Sequence, residues 1–394
     1  MTDAALTVGF LACAAVLAAV VRRATGPGGV RWAAVGVAGL GLGVLTAAFD
    51  SLMIGAGLFD YAPALISGIR IGAAPVEDFG YPVAAVVLLP PLWALLTKTD
   101  GIRAGDLLRH AFVASRPVSW INTAFPFGAA MLLTTGRVDW VLAVGALYYL
   151  IPYNLAMYGI NDVFDYASDL ANPRKGGIEG ALLPPRLHRP LLWLVAAVNV
   201  PFLIVLVAVG GPASWAAIAV STFAVVAYSV PGLRFKERPV LDSITSSTHF
   251  VSPAVVGLTL AGASFDAATV TVLAAFFLWG MAAHAFGAVQ DIQPDRDAGI
   301  GSIATFFGAA RTVRLALVLW VASGLLMLTT PWPGPLAAIL AVPYIVNCAP
   351  YFRVSEAAAE TTNRAWRRFL WINYVTGFLA TMIMILAWAS SRGM

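Results

Sequence analysis

Asn161-Asp162-Val163-Phe164-Asp165-Tyr166-Ala167-Ser168-Asp169 follows directly on the apolar run 140–160, in a chain of 394 residues of which only 11% are charged. Continued as a helix at about 100° per residue, Asp162, Asp165 and Asp169 fall within about 60° of one another, with Asn161 about 40° beyond Asp165. Like charges three and four residues apart on one face repel. The stretch therefore predicts something cationic lying over it. Carboxylates at the end of a long apolar helix are costly and mark function.

Working outward, 60% of the residues are hydrophobic and the mean hydropathy is +0.82. That excludes an ordinary soluble domain and predicts an all-α polytopic membrane protein. Apolar runs long enough to cross about 30 Å of hydrocarbon lie near 4–21, 32–58, 81–97, 118–135, 140–160, 190–209, 213–230, 242–262, 268–289, 313–330, 335–351 and 369–389, about 12 spans. The net charge of +4 with a pI near 9.2 does not imply nucleic-acid binding. If alternate loops are placed on one side, 21 of the 24 Lys and Arg fall there, leaving only Arg70, Arg137 and Arg392 opposite. The positive-inside rule then puts the charged loops in the cytoplasm and both termini outside, in the cytoplasmic membrane. The first run lacks a basic segment before it and reads as a retained span. Cys13 and Cys348 lie far apart in apolar segments, with neither a disulfide framework nor a metal knuckle in prospect.

The polar stretch 98–116 separates a three-span unit, 1–100, from a nine-span unit, 101–394. Within the second unit, a span ending in an acidic stretch recurs four spans later, as Asp291-Ile292-Gln293-Pro294-Asp295-Arg296-Asp297. Asp291 and Asp295 share a helical face, Asp297 points away, and Pro294 is expected to break or kink an interior turn. Each cluster alone could be a solvated loop; two at corresponding helix ends on one membrane face read as a split site. Oxygen donors without Cys or a His pair suit a hard cation such as Mg²⁺, commonly shared with substrate phosphate. Arg174 and Lys175 follow the first cluster, and Arg234 and Lys236 lie in Tyr228-Ser229-Val230-Pro231-Gly232-Leu233-Arg234-Phe235-Lys236. Singly they could be topology determinants; together they would neutralise a departing diphosphate.

Asn161-Asp162-x-x-Asp165-x-x-x-Asp169-x-x-Asn172-Pro173-Arg174 resembles the first signature of the UbiA superfamily of intramembrane prenyltransferases, and Asp291-x-x-x-Asp295-x-x-x-Gly299-x-x-Ser302 the second. The stretch from Tyr228 to Lys236 resembles the loop between them. The resemblance implies nine helices around a lipid-accessible cavity. It implies Mg²⁺ held by Asn161, Asp162, Asp165, Asp169, Asp291 and Asp295 against an isoprenyl diphosphate. Arg116, Arg174, Lys175, Tyr228, Arg234 and Lys236 would contact the diphosphate. Ser115-Arg116-Pro117-Val118-Ser119-Trp120-Ile121-Asn122-Thr123-Ala124 is most similar to the lycopene elongases of C50 carotenoid pathways. That implies dimethylallyl diphosphate as donor and lycopene, entering from the lipid bilayer, as acceptor.

In the first unit, Pro75-Val76-Glu77-Asp78-Phe79 resembles the acidic motif of small three-span lycopene cyclase subunits. Glu77 or Asp78 could donate a proton if burial raised its pKa. The known cyclases combine two such units, which implies a second cyclase subunit as partner. Asp50 lies within the apolar 32–58 run and is either functional or marks an earlier helix end. His284, one to two turns before Asp291, could face the cavity or be a satisfied core histidine; His110, His188 and His249 carry no recognisable signal. Trp120, Tyr153, Phe164, Trp279 and Phe286 lie where aromatics could shield a carbocation, as packing residues also could. Two rivals stay open: a related enzyme with an aromatic or quinone-precursor acceptor, and a transporter using the acidic helix ends as an ion site. Transporter sites lie near the bilayer midplane, whereas these clusters sit at helix ends.

Overall fold

The computed structural model describes residues 3–25, 32–55, 61–97, 104–166, 170 and 182–391. The chain divides into two compact units, Met1–Ala104 and Gly105–Met394. In the first, helices α1 (Asp3–Thr25) and α2 (Trp32–Gly55) both pack on α3 (Gly80–Thr97). A small antiparallel hairpin precedes α3: β1 (Arg70–Ile71) pairs with β2 (Ala74–Pro75), Arg70 opposite Pro75 and Ile71 opposite Ala74. Its turn needs glycine, because Gly72 has φ +68° and a Cβ there would lie 2.5 Å from Ser51 Oγ. The same Ser51 hydroxyl accepts from the Ala73 N–H at 2.9 Å, which fastens the turn to the end of α2. A 3₁₀ turn, Val76–Phe79, then leads into α3.

The second unit runs α4 (Ala104–Ala114), α5 (Ile121–Thr135), α6 (Trp140–Leu150), α7 (Pro152–Phe164), α8 (Pro185–Val209), α9 (Pro212–Ser229), α10 (Leu241–Leu260) and α11 (Ala267–Val289). It continues through α12 (Ile292–Asp297), α13 (Ile303–Phe307), α14 (Ala309–Met327), α15 (Val342–Cys348) and α16 (Asn363–Ser391). Its apolar core forms two clusters. One joins Phe127, Tyr149, Leu191, Leu206 and Val256, and the other joins Phe286, Trp320, Tyr344 and Phe369. Helix α10 packs against α5, α9 and α11. The close approach to α5 depends on Gly257, where a Cβ would stand 2.6 Å from the Phe127 carbonyl oxygen.

The run 140–160, which reads as one span, is two helices. Pro152 has no N–H to continue the α6 ladder, and the chain bends at Ile151 (φ −117°, ψ −62°). The carbonyls around the break are met by buried amides and a hydroxyl. Asn154 Nδ2 donates to Tyr149 O (2.8 Å) and Leu150 O (3.1 Å), Thr123 Oγ1 to Tyr149 O (2.7 Å), and Asn199 Nδ2 to Pro152 O (2.9 Å). A broken helix at membrane depth is tolerable only when its backbone groups are satisfied in this way.

Every apolar run read from the sequence carries a helical element, and eight stretches among the described residues are long and apolar enough to cross a membrane. Helices α5 and α10 are not among them. The first has only 15 residues, and the second includes Asp242, Ser243, Thr245, Ser247, His249 and Ser252, all buried. Large apolar side chains stand exposed on the outside of the second unit, among them Trp193, Ile204, Phe223, Val318 and Phe378. With polar residues inside and apolar ones out, this is an integral membrane protein.

Candidate active site

The Asp162 cluster sits at the end of α7, its helix closing at Asp165. Asp162 and Asp165 are buried, 1% and 7% exposed. The cations that their spacing predicts come from the chain itself. Arg116 Nη2 donates to Asp162 Oδ1 at 3.0 Å, and its guanidinium lies 4.2 Å from the ring centre of Tyr158, one turn before Asp162. Lys236 pairs with Asp165, and Arg234 Nη2 lies 3.6 Å from the same carboxylate while also pairing with Glu237. Asn161 Oδ1 accepts from Ser229 Oγ at 3.0 Å, which fixes the amide beside the carboxylates.

Both arginines reach their partners from left-handed backbone, φ +49° at Arg116 and φ +40° at Arg234. Neither is glycine, so each conformation costs about 1–3 kcal/mol that the surrounding contacts must offset. Burial pushes the Lys236 ammonium down to about 8 against the opposing fields of Glu237, Asp295 and Asp162. Lys236 thus feels carboxylates of both acidic motifs.

The second motif differs locally from its expectation. Helix α11 ends at Val289, and Pro294 falls in the first turn of α12, where a missing N–H costs nothing. Asp291 stands just before that helix, and the Asp295 N–H donates to the Asp291 carbonyl at 2.8 Å. Asp297, expected to point away, also lines the cavity rim and accepts from Gln293 Nε2 at 2.9 Å.

Arg116, Asn161, Asp165, Tyr228, Lys236, Asp291 and Asp295 line one cavity of about 1830 Å³. Asp162 lies behind Arg116, and Arg234 beside Asp165. The cavity follows α11 from Ala288 through His284, Trp279 and Leu273 to Ala268, about 30 Å at 1.5 Å per residue. Below its charged mouth the wall is largely apolar, with Phe125, Phe276 and Phe369 among its members. Asp169, Arg174 and Lys175 lie outside the described residues. Among the described residues no three His, Cys, Asp or Glu side chains form a metal cluster by themselves. The donor chemistry still fits a hard cation: all-oxygen side chains from two helices line one mouth, and a shared phosphate is the usual completion of such a Mg²⁺ shell.

Several contributors went unread in the sequence. Tyr158 supports Arg116 and Ser229 orients Asn161. His249 lines the cavity although its sequence context is featureless. Only Tyr158 carried a usable signal, its spacing of four residues from Asp162. His284 lines the cavity and is also hydrogen-bonded, so its two readings from sequence both hold. Of the aromatic candidates, Trp279 lines the cavity, whereas Tyr153 and Phe286 are each 1% exposed within the core.

In the first unit Glu77 is 5% exposed and its Oε1 accepts from the Ser67 N–H at 2.6 Å. Burial alone would raise its pKa, but the hydrogen bonds from Ser67 outweigh it and hold the carboxyl below its ordinary value. That runs against the expectation of a burial-raised acid at Glu77. Asp78 Oδ2 accepts from Tyr61 Oη at 2.6 Å.

Residues 123–381 match the sequence profile of the UbiA prenyltransferase family. A Dietzia sp. (strain CQ4) protein named for C(50) beta-cyclic carotenoids biosynthesis is 47% identical over 408 residues, covering 93% of this chain and 94% of that one. A lycopene elongase/hydratase of Corynebacterium glutamicum is 49% identical over 280 residues, covering 71% of this chain and 98% of its own. Among solved structures, a digeranylgeranylglyceryl phosphate synthase superposes with a TM-score of 0.51 at 11% identity, over 69% of this chain and 97% of that one.

Proposed function

From the premise that the chain belongs to the UbiA prenyltransferase family, we propose that it moves a dimethylallyl group from its diphosphate to the end of lycopene, towards C50 carotenoids. The observation that carries this reading is the cavity, with charge at its mouth and about 30 Å of apolar wall below, the shape a long polyene requires. The names of the relatives from Dietzia and Corynebacterium support the same acceptor. The mouth faces the cytoplasm and both termini face outward, as the loop charges favour.

The mechanism follows from the mouth. Arg116, Arg234 and Lys236 bring three cations to it, and the diphosphate draws them partly from Asp162 and Asp165 as it binds. They then stabilise charge on the leaving oxygen as the C–O bond breaks. Mg²⁺ held by Asn161, Asp162, Asp165, Asp169, Asp291 and Asp295 would supply further Lewis-acid neutralisation of the diphosphate. The allylic group is left at the top of the apolar wall, where water is scarce and the terminal double bond of the acceptor attacks it.

The first unit contributes to cyclisation of the carotenoid end group, together with a second cyclase subunit. Here Asp78, beside Tyr61, is the better candidate acid, since hydrogen bonds from Ser67 hold Glu77 below its ordinary pKa. Support comes from the Dietzia relative, which matches along nearly the whole chain and whose name includes a cyclic end group.

Expression in a lycopene-producing host tests the reading. C45 or C50 carotenoids should accumulate and vanish in Asp162→Ala. Unchanged lycopene together with prenylation of an aromatic acid would sink the carotenoid acceptor.

A further inference from the structure

We propose that Tyr228, His284 and Ser243 form a proton relay in the cavity wall, which takes up the proton released when prenyl transfer ends; this rests on the prenyltransferase reading with an alkene acceptor. Tyr228 Oη and His284 Nε2 are 3.2 Å apart, and His284 Nδ1 and Ser243 Oγ 3.0 Å. Tyr228 and His284 line the cavity, from α9 and α11, while Ser243 stands behind them on α10 and is fully buried. The Ser243 backbone is itself anchored: its N–H donates to Asp242 Oδ1 at 2.6 Å, and the other Asp242 oxygen accepts from the Ile303 N–H at 2.7 Å. His249 packs edge-on against the Tyr228 ring at 5.2 Å, with its Nε2 lacking a hydrogen-bond partner among the described residues. Two imidazoles therefore flank one phenol inside an otherwise apolar wall.

The position suits the last step and not the first. His284 precedes Asp291 by seven residues, about 10 Å along the helix axis. We place the acceptor carbon at that depth, below the acidic residues read as the diphosphate site. A neutral imidazole accepts at one nitrogen and donates at the other. With the Tyr228 hydroxyl donating to Nε2, the Nδ1–H donates to Ser243 Oγ.

The C–O bond of the donor breaks with its electron pair leaving on the diphosphate, and the allylic carbon bonds to the terminal alkene of the acceptor. The positive charge passes to the neighbouring tertiary carbon. An adjacent C–H electron pair then becomes a new double bond, and the proton goes to the Tyr228 oxygen as the Tyr228 proton passes to His284 Nε2. Where water bonds to the cation instead, its surplus proton takes the same route. In both cases the positive charge ends on the imidazolium, which returns the proton to solvent on product release.

The test uses the purified full-length protein in liposomes with dimethylallyl diphosphate and lycopene, following diphosphate release and resolving unsaturated from hydroxylated products. His284→Gln and Tyr228→Phe should slow carotenoid formation by about 100-fold or more, the scale of lost general-base catalysis. Both should also shift the ratio of unsaturated to hydroxylated product, and His284→Gln should leave the KM for the allylic diphosphate within about threefold. The proposal is overturned if both variants keep the wild-type ratio and a rate within about twofold, or if the loss lies only in KM or in diphosphate release. Should either variant unfold, Ser243→Ala decides: about a tenfold loss with a shifted ratio is expected, and an unchanged rate and ratio overturn it. If the wild type prenylates a different acceptor, the lycopene assignment fails, and the relay is read on that acceptor's product.

Discussion

Arg116 shows how one residue joins stability to function here. It sits over Tyr158, in a left-handed conformation, with its charge on a carboxylate that water does not reach. Removing it takes away one charged partner of the buried Asp162, and breaking a buried ion pair costs about 3–5 kcal/mol. Arg116→Ala should therefore lower the unfolding temperature clearly, and Arg116→Ala with Asp162→Asn should restore most of it while activity stays lost; a thermal melt in detergent beside a turnover assay separates the two effects. Glu77 ties stability to pH. Its folded pKa lies below the unfolded value, so its hydrogen bonds contribute stability above about pH 4.5 that is lost as pH falls through the folded value. The difference in melting temperature between wild type and Glu77→Gln should shrink as the pH is lowered from 6 to about 3. A difference that grows on acidification would show the carboxyl to be protonated in the folded protein. Asp162, Asp165, Lys236 and Arg234, read from the sequence as one site, lie close together in the structure, as carboxylates spaced on one face need a counter-charge. The sequence could not say that the counter-charge is intramolecular, since Arg116 and Asp162 are 46 residues apart and meet only through packing.

At the scale of the element, the broken helix α6–α7 is the feature that aims the site. The bend at Ile151 sends α7 towards Arg116, and Asn154 alone meets two carbonyls there and the Thr123 hydroxyl. Asn154→Ala removes these bonds and leaves the Leu150 carbonyl without its side-chain donor in an apolar interior, a loss of about 1–3 kcal/mol. The expected outcome is a lower melting temperature together with a raised KM for the diphosphate, because the Asn161–Asp165 turn loses its support. A drop in stability with an unchanged KM would show that the bend does not govern the site. Hydropathy hid this break, since Pro152 and Asn154 interrupt an otherwise continuous apolar run. The same averaging underrates α10, whose buried hydroxyls and His249 serve the interior and not the lipid.

On the scale of the whole molecule, the cavity sets which acceptors fit. Ala268 lines its far end, about 30 Å along α11 from the acidic mouth. Ala268→Trp should suppress prenylation of lycopene at least about tenfold, the effect of about 1.4 kcal/mol, while dimethylallyl diphosphate is still bound and cleaved at the mouth. Equal loss of both would mean that the far wall does not hold the acceptor. The amino-acid sequence by itself determined the membrane-spanning all-α architecture, because a run of apolar residues long enough to cross the hydrocarbon has few other stable homes. It also determined the two acidic poles, because charge at the end of such a run is too costly to be incidental. Only the tertiary structure decided which residues share the cavity and which sit behind it, that Arg116 closes on Asp162, and that Tyr228, Ser243 and His284 meet from three helices. Those contacts depend on helix packing angles and on a bend held by buried amides, and a one-dimensional pattern of hydropathy and charge carries neither.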